Sequence, residues 1–290
     1  MTELSNCPLH DRAVIAVTGK DADSFLQGLI SNDVTKVTGD QAIYAAFLTP
    51  QGKFLFDFFV LKAADGLWLD CEAARADDFL RRLKMFKLRA DVTLTDLRQE
   101  LAVSAVFGAG AATALALPEK AGSARLSDAG VVFIDPRDAA MGGRLIQPRG
   151  QLPEFGQTVP FTDYEYRRIG LRLPDGSRDI WVEKDSLLEH GFERLDGVDF
   201  AKGCYMGQEV TARMKYRGLV KKQLIAIGFE QAAPAPGTML RAGDLEIGEL
   251  RSGSAGRALA LVRQDRLAIA DSRGDELLAD GQKAHILTGD

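Results

Sequence analysis

The chain reads as an α+β protein of antiparallel strands with an all-β tail. Three observations predict this. Residues 42–71, "AIYAAFLTPQGKFLFDFFVLKAADGLWLDC", form apolar runs separated by turn residues, as in a hairpin meander. Residues 95–150 restart strands in "LTDLRQELAVSAVFG" and "GVVFIDPRDAAMGGRLIQP" and predict a second α+β lobe. Residues 222–290 carry short apolar runs broken by Pro234-Ala235-Pro236-Gly237, Ala242-Gly243-Asp244 and Ser252-Gly253-Ser254, the pattern of a small antiparallel barrel or sandwich.

In chain order, Val14–Val17 is apolar and mostly β-branched, and Gly19 ends it as a strand. Asp21 is placed to cap a helix in which Phe25/Leu29 and Leu26/Ile30 pair four residues apart. Ser31-Asn32-Asp33 stops that helix. Turns fall at Pro50-Gln51-Gly52 and Ala64-Asp65-Gly66. Strict alternation along "KFLFDFFVL" puts Phe54, Phe56 and Phe58 on one face and Leu55, Asp57 and Phe59 on the other. Residues 75–89 predict a basic helix with Phe79, Leu83 and Phe86 inward, and the Gly/Ala-rich stretch 108–117 a loop leading into a helix. Thr162 and Glu165 stand at capping-box spacing, so a helix is predicted from near Asp163 to near Gly170. The predicted organisation is one lobe from 1–94 and 151–221, a second from 95–150, and a barrel from 222–290.

With 290 residues, two or three sub-domains are expected; 46% apolar and 27% charged residues are ordinary for a globular protein. No apolar run approaches the ~20 residues that span a bilayer, and residues 1–11 lack a basic-then-apolar leader pattern, so a cytoplasmic protein with no membrane role is expected. The net charge of −5 argues against a bulk nucleic-acid binder. Cys7, Cys71 and Cys204 are odd in number, widely spaced and make no CxxC, so neither a disulfide framework nor a zinc site is expected. No phosphate loop occurs, and His10, His190 and His285 are scattered.

The stretch "KGCYMGQEV", 202–210, carries the chemistry. Lys202 stands two residues from Cys204, and a nearby ammonium raises a thiol's thiolate fraction. Gly203 and Gly207 permit a tight loop, and Gln208 and Glu209 add polar groups. One cysteine cannot complete an iron–sulfur cluster, which usually takes four ligands, so a cluster held here needs ligands from a partner. Asp57, in a strand apolar on both faces, either caps a turn, pairs with a buried arginine, or faces a ligand cavity. Arg213, Lys215, Arg217, Lys221 and Lys222 follow the motif and suit an anionic ligand tail or an acidic partner.

At these residues the chain resembles the YgfZ/GcvT-like folate-binding proteins, iron–sulfur cluster assembly or insertion factors related to the glycine-cleavage T-protein aminomethyltransferase. "KGCYMGQE" matches the family signature, "ARMKYRG" continues it, and "TGKDADSFLQGLISNDV", "LTPQGKFLFD" and "GELRSGSAGRALALVR" match further segments in order. The resemblance implies two antiparallel α+β lobes of the aminomethyltransferase type around a central tetrahydrofolate cavity, closed by a small β-barrel. It implies Cys204, Lys202 and Asp57 as catalytic residues. It implies folate contacts from Asn32, Asp33, Gln51, Lys53, Asp57, Tyr164, Glu165, Arg168, Gly203, Tyr205, Gln208 and Glu209. Its clients would be iron–sulfur enzymes, including tRNA-thiolating ones, or assembly proteins, and the chain a monomer. The transferases' acidic pair is reduced here to Asp57, with Phe56 at the first position, and the tryptophans that flank the folate in some relatives fall on Arg12 and near Tyr164. A folate-dependent aminomethyl- or methyltransferase is the alternative reading, and a non-catalytic binding module a third.

Overall fold

Two antiparallel sheets lie face to face in the computed structural model, which describes residues 3–127, 130–151 and 153–288. The first sheet has five strands, ordered Ile43–Leu48, Phe54–Ala63, Gly66–Glu72, Arg12–Thr18 and Thr93–Asp96. The second has six, ordered Gln157–Thr158, Ser5–Pro8, Leu101–Phe107, Gly143–Pro148, Gly130–Ile134 and Ala124–Ser127; its first pair is parallel and the rest antiparallel. The chain's first strand therefore sits in the second sheet, although its position along the chain suggested the first lobe.

Between the sheets, Val14, Tyr44, Phe54 and Phe59 of the first meet Val103, Phe107, Phe133 and Ile146 of the second in one apolar core. The outer face of the first sheet is covered by the helices Ala22–Gln27 and Ala76–Lys87, which bury Leu26, Phe79 and Leu83 against Phe47, Phe56 and Phe58. Phe79 lies 4.7 Å from Phe56 and 4.8 Å from Phe58, ring centre to ring centre. Burial of each such ring contributes about 2–3 kcal/mol. Phe86, expected inward, stays 38% exposed at the helix end.

Strict alternation fails along Phe54–Ala63, and the cause is local. Phe47 pairs with Phe56 and Leu48 with Phe54, so Leu55 is an extra, bulged residue. The bulge sends Phe54 to the inter-sheet core with Phe59 and leaves Leu55 on the helix side with Phe56 and Phe58. Asp57 keeps its predicted side, with Phe59. Both helix-start expectations are corrected as well. Asp21 does not cap; its carboxylate accepts the Asp91 N–H at 2.8 Å. Pro160 occupies the cap position of the helix Phe161–Gly170, and Glu165 turns away to Arg168.

The C-terminal strands close into a six-stranded barrel, ordered Lys222–Phe229, Arg257–Arg263, Leu245–Ser254, Met239–Ala242, Leu277–Ala279 and Gln282–Ile286. Inward residues such as Ile227, Leu240, Ile247 and Val262 fill it. Outward Leu224, Ala226 and Leu259 pack on Ile169 of the helix Phe161–Gly170, which joins barrel to sheets. The helix Gln264–Arg273 interrupts the expected all-β tail. Among the described residues no helix is long and apolar enough to cross a membrane.

Candidate functional site

The motif loop is built from beneath. Asp199 accepts the N–H groups of Ala201 at 2.6 Å and Lys202 at 3.0 Å, and pairs with Lys36 at 3.0 Å. The Lys202 ammonium donates to the carbonyls of Gln27 and Ile30 at 2.8 Å and of Asn32 at 2.7 Å. An ammonium has three N–H donors, and these three carbonyls take them all. Burial lowers the Lys202 pKa to about 8, against the pull of Asp33 and Asp199. The idea that Lys202 primes the thiol is thereby corrected: its charge is turned inward, onto the backbone of 27–32.

On the far side of the cysteine, Met206 donates its N–H to Gly28 O at 3.3 Å and packs against the helix-side core. Gly207 has φ +82°, and a Cβ there would stand 2.6 Å from Thr49 O and 3.0 Å from Gly52 Cα. Only glycine allows the loop this close to the turn at 49–52. Gln208–Tyr216 then forms the helix that follows the motif. Between these anchors Cys204 and Gly203 are exposed, whereas Cys7 and Cys71 are buried.

Most residues that the resemblance assigns to folate hold the chain together. Asn32 is fully buried, its amide donating to Tyr44 O at 2.8 Å and Asp196 O at 2.6 Å. Asp33 caps the turn at Thr35. Lys53 donates to Lys184 O at 2.8 Å, and Gln51 is exposed on its turn. Glu165 accepts from Arg168, and Arg168 continues to Asp179 at 2.8 Å and Ser252 Oγ at 2.6 Å. Tyr205 lies buried beneath Cys204's loop, with Glu209 exposed and Gln208 half-buried on the motif helix. The motif members and the loop 27–33 come together; Tyr164, Glu165 and Arg168 are buried apart from them.

Tyr164 joins a charged cluster in the space between the sheets where a pterin is expected, whereas Glu165 and Arg168 reach the barrel at Ser252. Arg12 and Arg144 each reach Asp70 at 2.7 Å, and Arg144 also donates to Tyr164 Oη at 3.0 Å. Arg137 binds Asp135 at 2.7 Å. The guanidinium groups of Arg144, Arg137 and Arg12 stand 4.3, 5.0 and 5.8 Å from the centre of the Phe59 ring. Tyr44 donates to Asp57 at 2.7 Å, and burial pushes the Asp57 carboxyl up despite Arg12. Burial also opposes the charged forms of Asp135 and Asp175, but Arg137 outweighs it for the first and Arg168 with Arg178 for the second, so both are held below the ordinary range. A buried ion pair is tolerated in this way only when its remaining atoms are also hydrogen-bonded. Apart from Arg144 Nε, which has no hydrogen-bond partner among the described residues, the charged groups of these side chains are engaged with one another and with nearby main chain, which leaves few polar groups for a folate between the sheets. Sequence reasoning missed Asp70, Asp135, Arg137 and Arg144; the available signal was a charged residue set inside an apolar strand run, as in "LWLDC" and "GGRLIQP". A cavity of about 700 Å³ opens elsewhere, beside Phe107, Tyr166 and Arg257, where the second sheet meets the barrel.

The fold and this loop define a GCVT-type protein with a C-terminal barrel. Residues 9–144 match the family described as GCVT N-terminal domain, and 221–288 match the CAF17 C-terminal beta-barrel domain. The structure is similar to glycine cleavage system aminomethyltransferase T from Bartonella henselae, with TM-score 0.77 and 15% identity over 99% of this chain and 86% of that one. The mitochondrial iron–sulfur cluster assembly factor IBA57 of Homo sapiens is 31% identical, covering 89% of this chain and 77% of its own length. The mitochondrial IBA57 homologue of Mycosarcoma maydis is 32% identical over 78% of this chain and 57% of its own. The chain belongs to the IBA57 family of iron–sulfur cluster assembly factors. These matches take the resemblance at the level of GCVT-domain assembly factors rather than YgfZ in particular. They also overturn the cytoplasmic expectation, because the relatives are named as mitochondrial proteins.

Proposed function

We propose that this chain acts in iron–sulfur cluster assembly by presenting Cys204 as a thiolate ligand to a cluster shared with a partner protein. The observation that carries this reading is the placement of Cys204: the one exposed thiol of three, on a loop braced from below by Lys202 and from the side by Gly207. Among the described residues no group of three or more His, Cys, Asp or Glu side chains is arranged to hold a metal ion. The other ligands therefore come from the partner or a small thiol. On ligation Cys204 replaces one thiolate of the incoming cluster: its sulfur bonds to iron as that iron–thiolate bond breaks, and the proton lost by Cys204 goes, directly or through solvent, to the departing thiol.

The test supplies a [2Fe–2S] cluster ligated by glutathione, without oxygen, and follows uptake by visible circular dichroism. The wild type is expected to take up cluster and Cys204→Ser to lose the signal. Undiminished uptake by the variant would reject the reading. Tetrahydrofolate has no part in it, since Asp57, Tyr164, Glu165 and Arg168 are bonded among themselves and their neighbours. Calorimetry with tetrahydrofolate is expected to show no saturable heat. Binding that Asp57→Asn abolishes would restore the folate-dependent reading.

A further inference from the structure

The cations that follow the motif are not all engaged. Lys215 pairs with Glu193 at 2.8 Å and covers the Phe200 ring at 3.9 Å. Arg213 and Arg217 are exposed and make no ion pair among the described residues. Beside them, at the end of the helix Gln208–Tyr216, Tyr216 is 72% exposed and Leu219 44%. Tyr216 meets Phe200 edge to face at 6.3 Å, and Phe200 enters the loop that carries Cys204. These ring contacts tie the end of the motif helix to the segment that leads into the Cys204 loop.

The dimensions of this region suit a docking face. At 1.5 Å per residue, Tyr216 stands about 12 Å along the helix from Gln208. A standard interface covers about 800 Å² per partner, a disc of about 16 Å radius, so Cys204 and Tyr216 fit within one footprint. The residue types are also those that anchor interfaces: tyrosine and arginine dominate hot spots. The charge is local and of opposite sign to the chain's net −5, so it selects an anionic partner.

We propose that Phe200, Arg213, Tyr216, Arg217 and Leu219 form the platform on which an acidic protein carrying a thiolate-ligated iron–sulfur cluster docks, so that its cluster meets Cys204. The inference rests on the Cys204 reading and adds the surface and the partner's chemistry. A cluster held by thiolates carries net negative charge, as does the acidic face around it. Both complement Arg213 and Arg217, whereas Tyr216 and Leu219 supply the apolar contact.

Two readouts separate docking from ligation: uptake from the glutathione-ligated [2Fe–2S] cluster, and rescue of iron–sulfur enzyme activity in cells deprived of their own relative of this chain. Arg213→Glu/Arg217→Glu and Tyr216→Ala are expected to keep uptake but to lower rescue by at least about tenfold. Arg213→Lys/Arg217→Lys keeps rescue, as does the barrel control Arg241→Glu/Arg273→Glu. Full rescue by the platform variants overturns the proposal and leaves the Cys204 reading standing. Loss of uptake together with rescue also overturns it, because the cations then act on the cluster itself. Cys204→Ser with normal uptake and rescue removes the Cys204 reading instead, and the platform variants still report on docking. If the wild type sediments with phosphatidylserine vesicles and Arg213→Glu/Arg217→Glu does not, a membrane is the occupant and the protein partner is rejected.

Discussion

Lys202 has three N–H donors and gives each to a main-chain carbonyl of residues 27–32. Its work is to hold the floor under Cys204. Lys202→Met leaves three buried acceptors without partners and is expected to lower stability by about 2–4 kcal/mol in urea unfolding. Alkylation of Cys204 by iodoacetamide at neutral pH should keep its rate in folded Lys202→Met. A large fall in that rate, with stability unchanged, would instead show that the ammonium activates the sulfur. This residue marks a limit of sequence reading. The motif was legible because its members are contiguous, but nearness along the chain said nothing of direction. Lys202 and Cys204 are two residues apart, yet one is buried and the other exposed.

The elements around the motif are set by backbone sterics as much as by hydrophobic pattern. Gly207 sits at φ +82° against Thr49 O, whereas a methyl group added at Gly203 would meet nothing within 4 Å. The two glycines of one motif therefore have different duties. Gly207→Ala should lower the melting temperature, costing about 1–3 kcal/mol through strain and displacement of the turn at 49–52, and should weaken cluster uptake. Gly203→Ala should match the wild type in both, and equal behaviour of the two variants would contradict this account. Hairpins and barrel strands were legible because turn residues punctuate them. The bulge at Leu55 was not, since nothing in "KFLFDFF" marks which residue drops out of register. The helix caps misled for a related reason. Asp21 and Glu165 found stronger partners in Asp91 N–H and Arg168, which lie close only in the folded chain or on the next turn.

Across the whole molecule, buried charges tie the parts together. Asp70 joins Arg12 of its own sheet to Arg144 of the other, and Arg168 links Glu165 and Asp179 to Ser252 of the barrel. These residues are scattered along the chain, so each reads in sequence as a lone charge; only the fold makes them a network. Their titration gives a test with a definite sign. Asp135 and Asp175 are held below the ordinary carboxylate value of 3.8, so their stabilising contribution is present above it and is lost as pH falls through their folded values. Asp57 is raised by burial, so its contribution is full below 3.8 and is lost as pH rises through its folded value. Asparagine at position 57 still accepts the Tyr44 hydroxyl but never ionises. The stability of Asp57→Asn relative to wild type should therefore improve as pH rises from 4 to 7, while both proteins weaken as pH falls below about 4 toward the lower folded values of Asp135 and Asp175. Urea midpoints of the two proteins across this range supply the measurement. A difference that stays flat, or that shrinks toward neutrality, would mean that Asp57 is not a burdened buried carboxylate, and the closed inter-sheet space argued from it would have to be reopened.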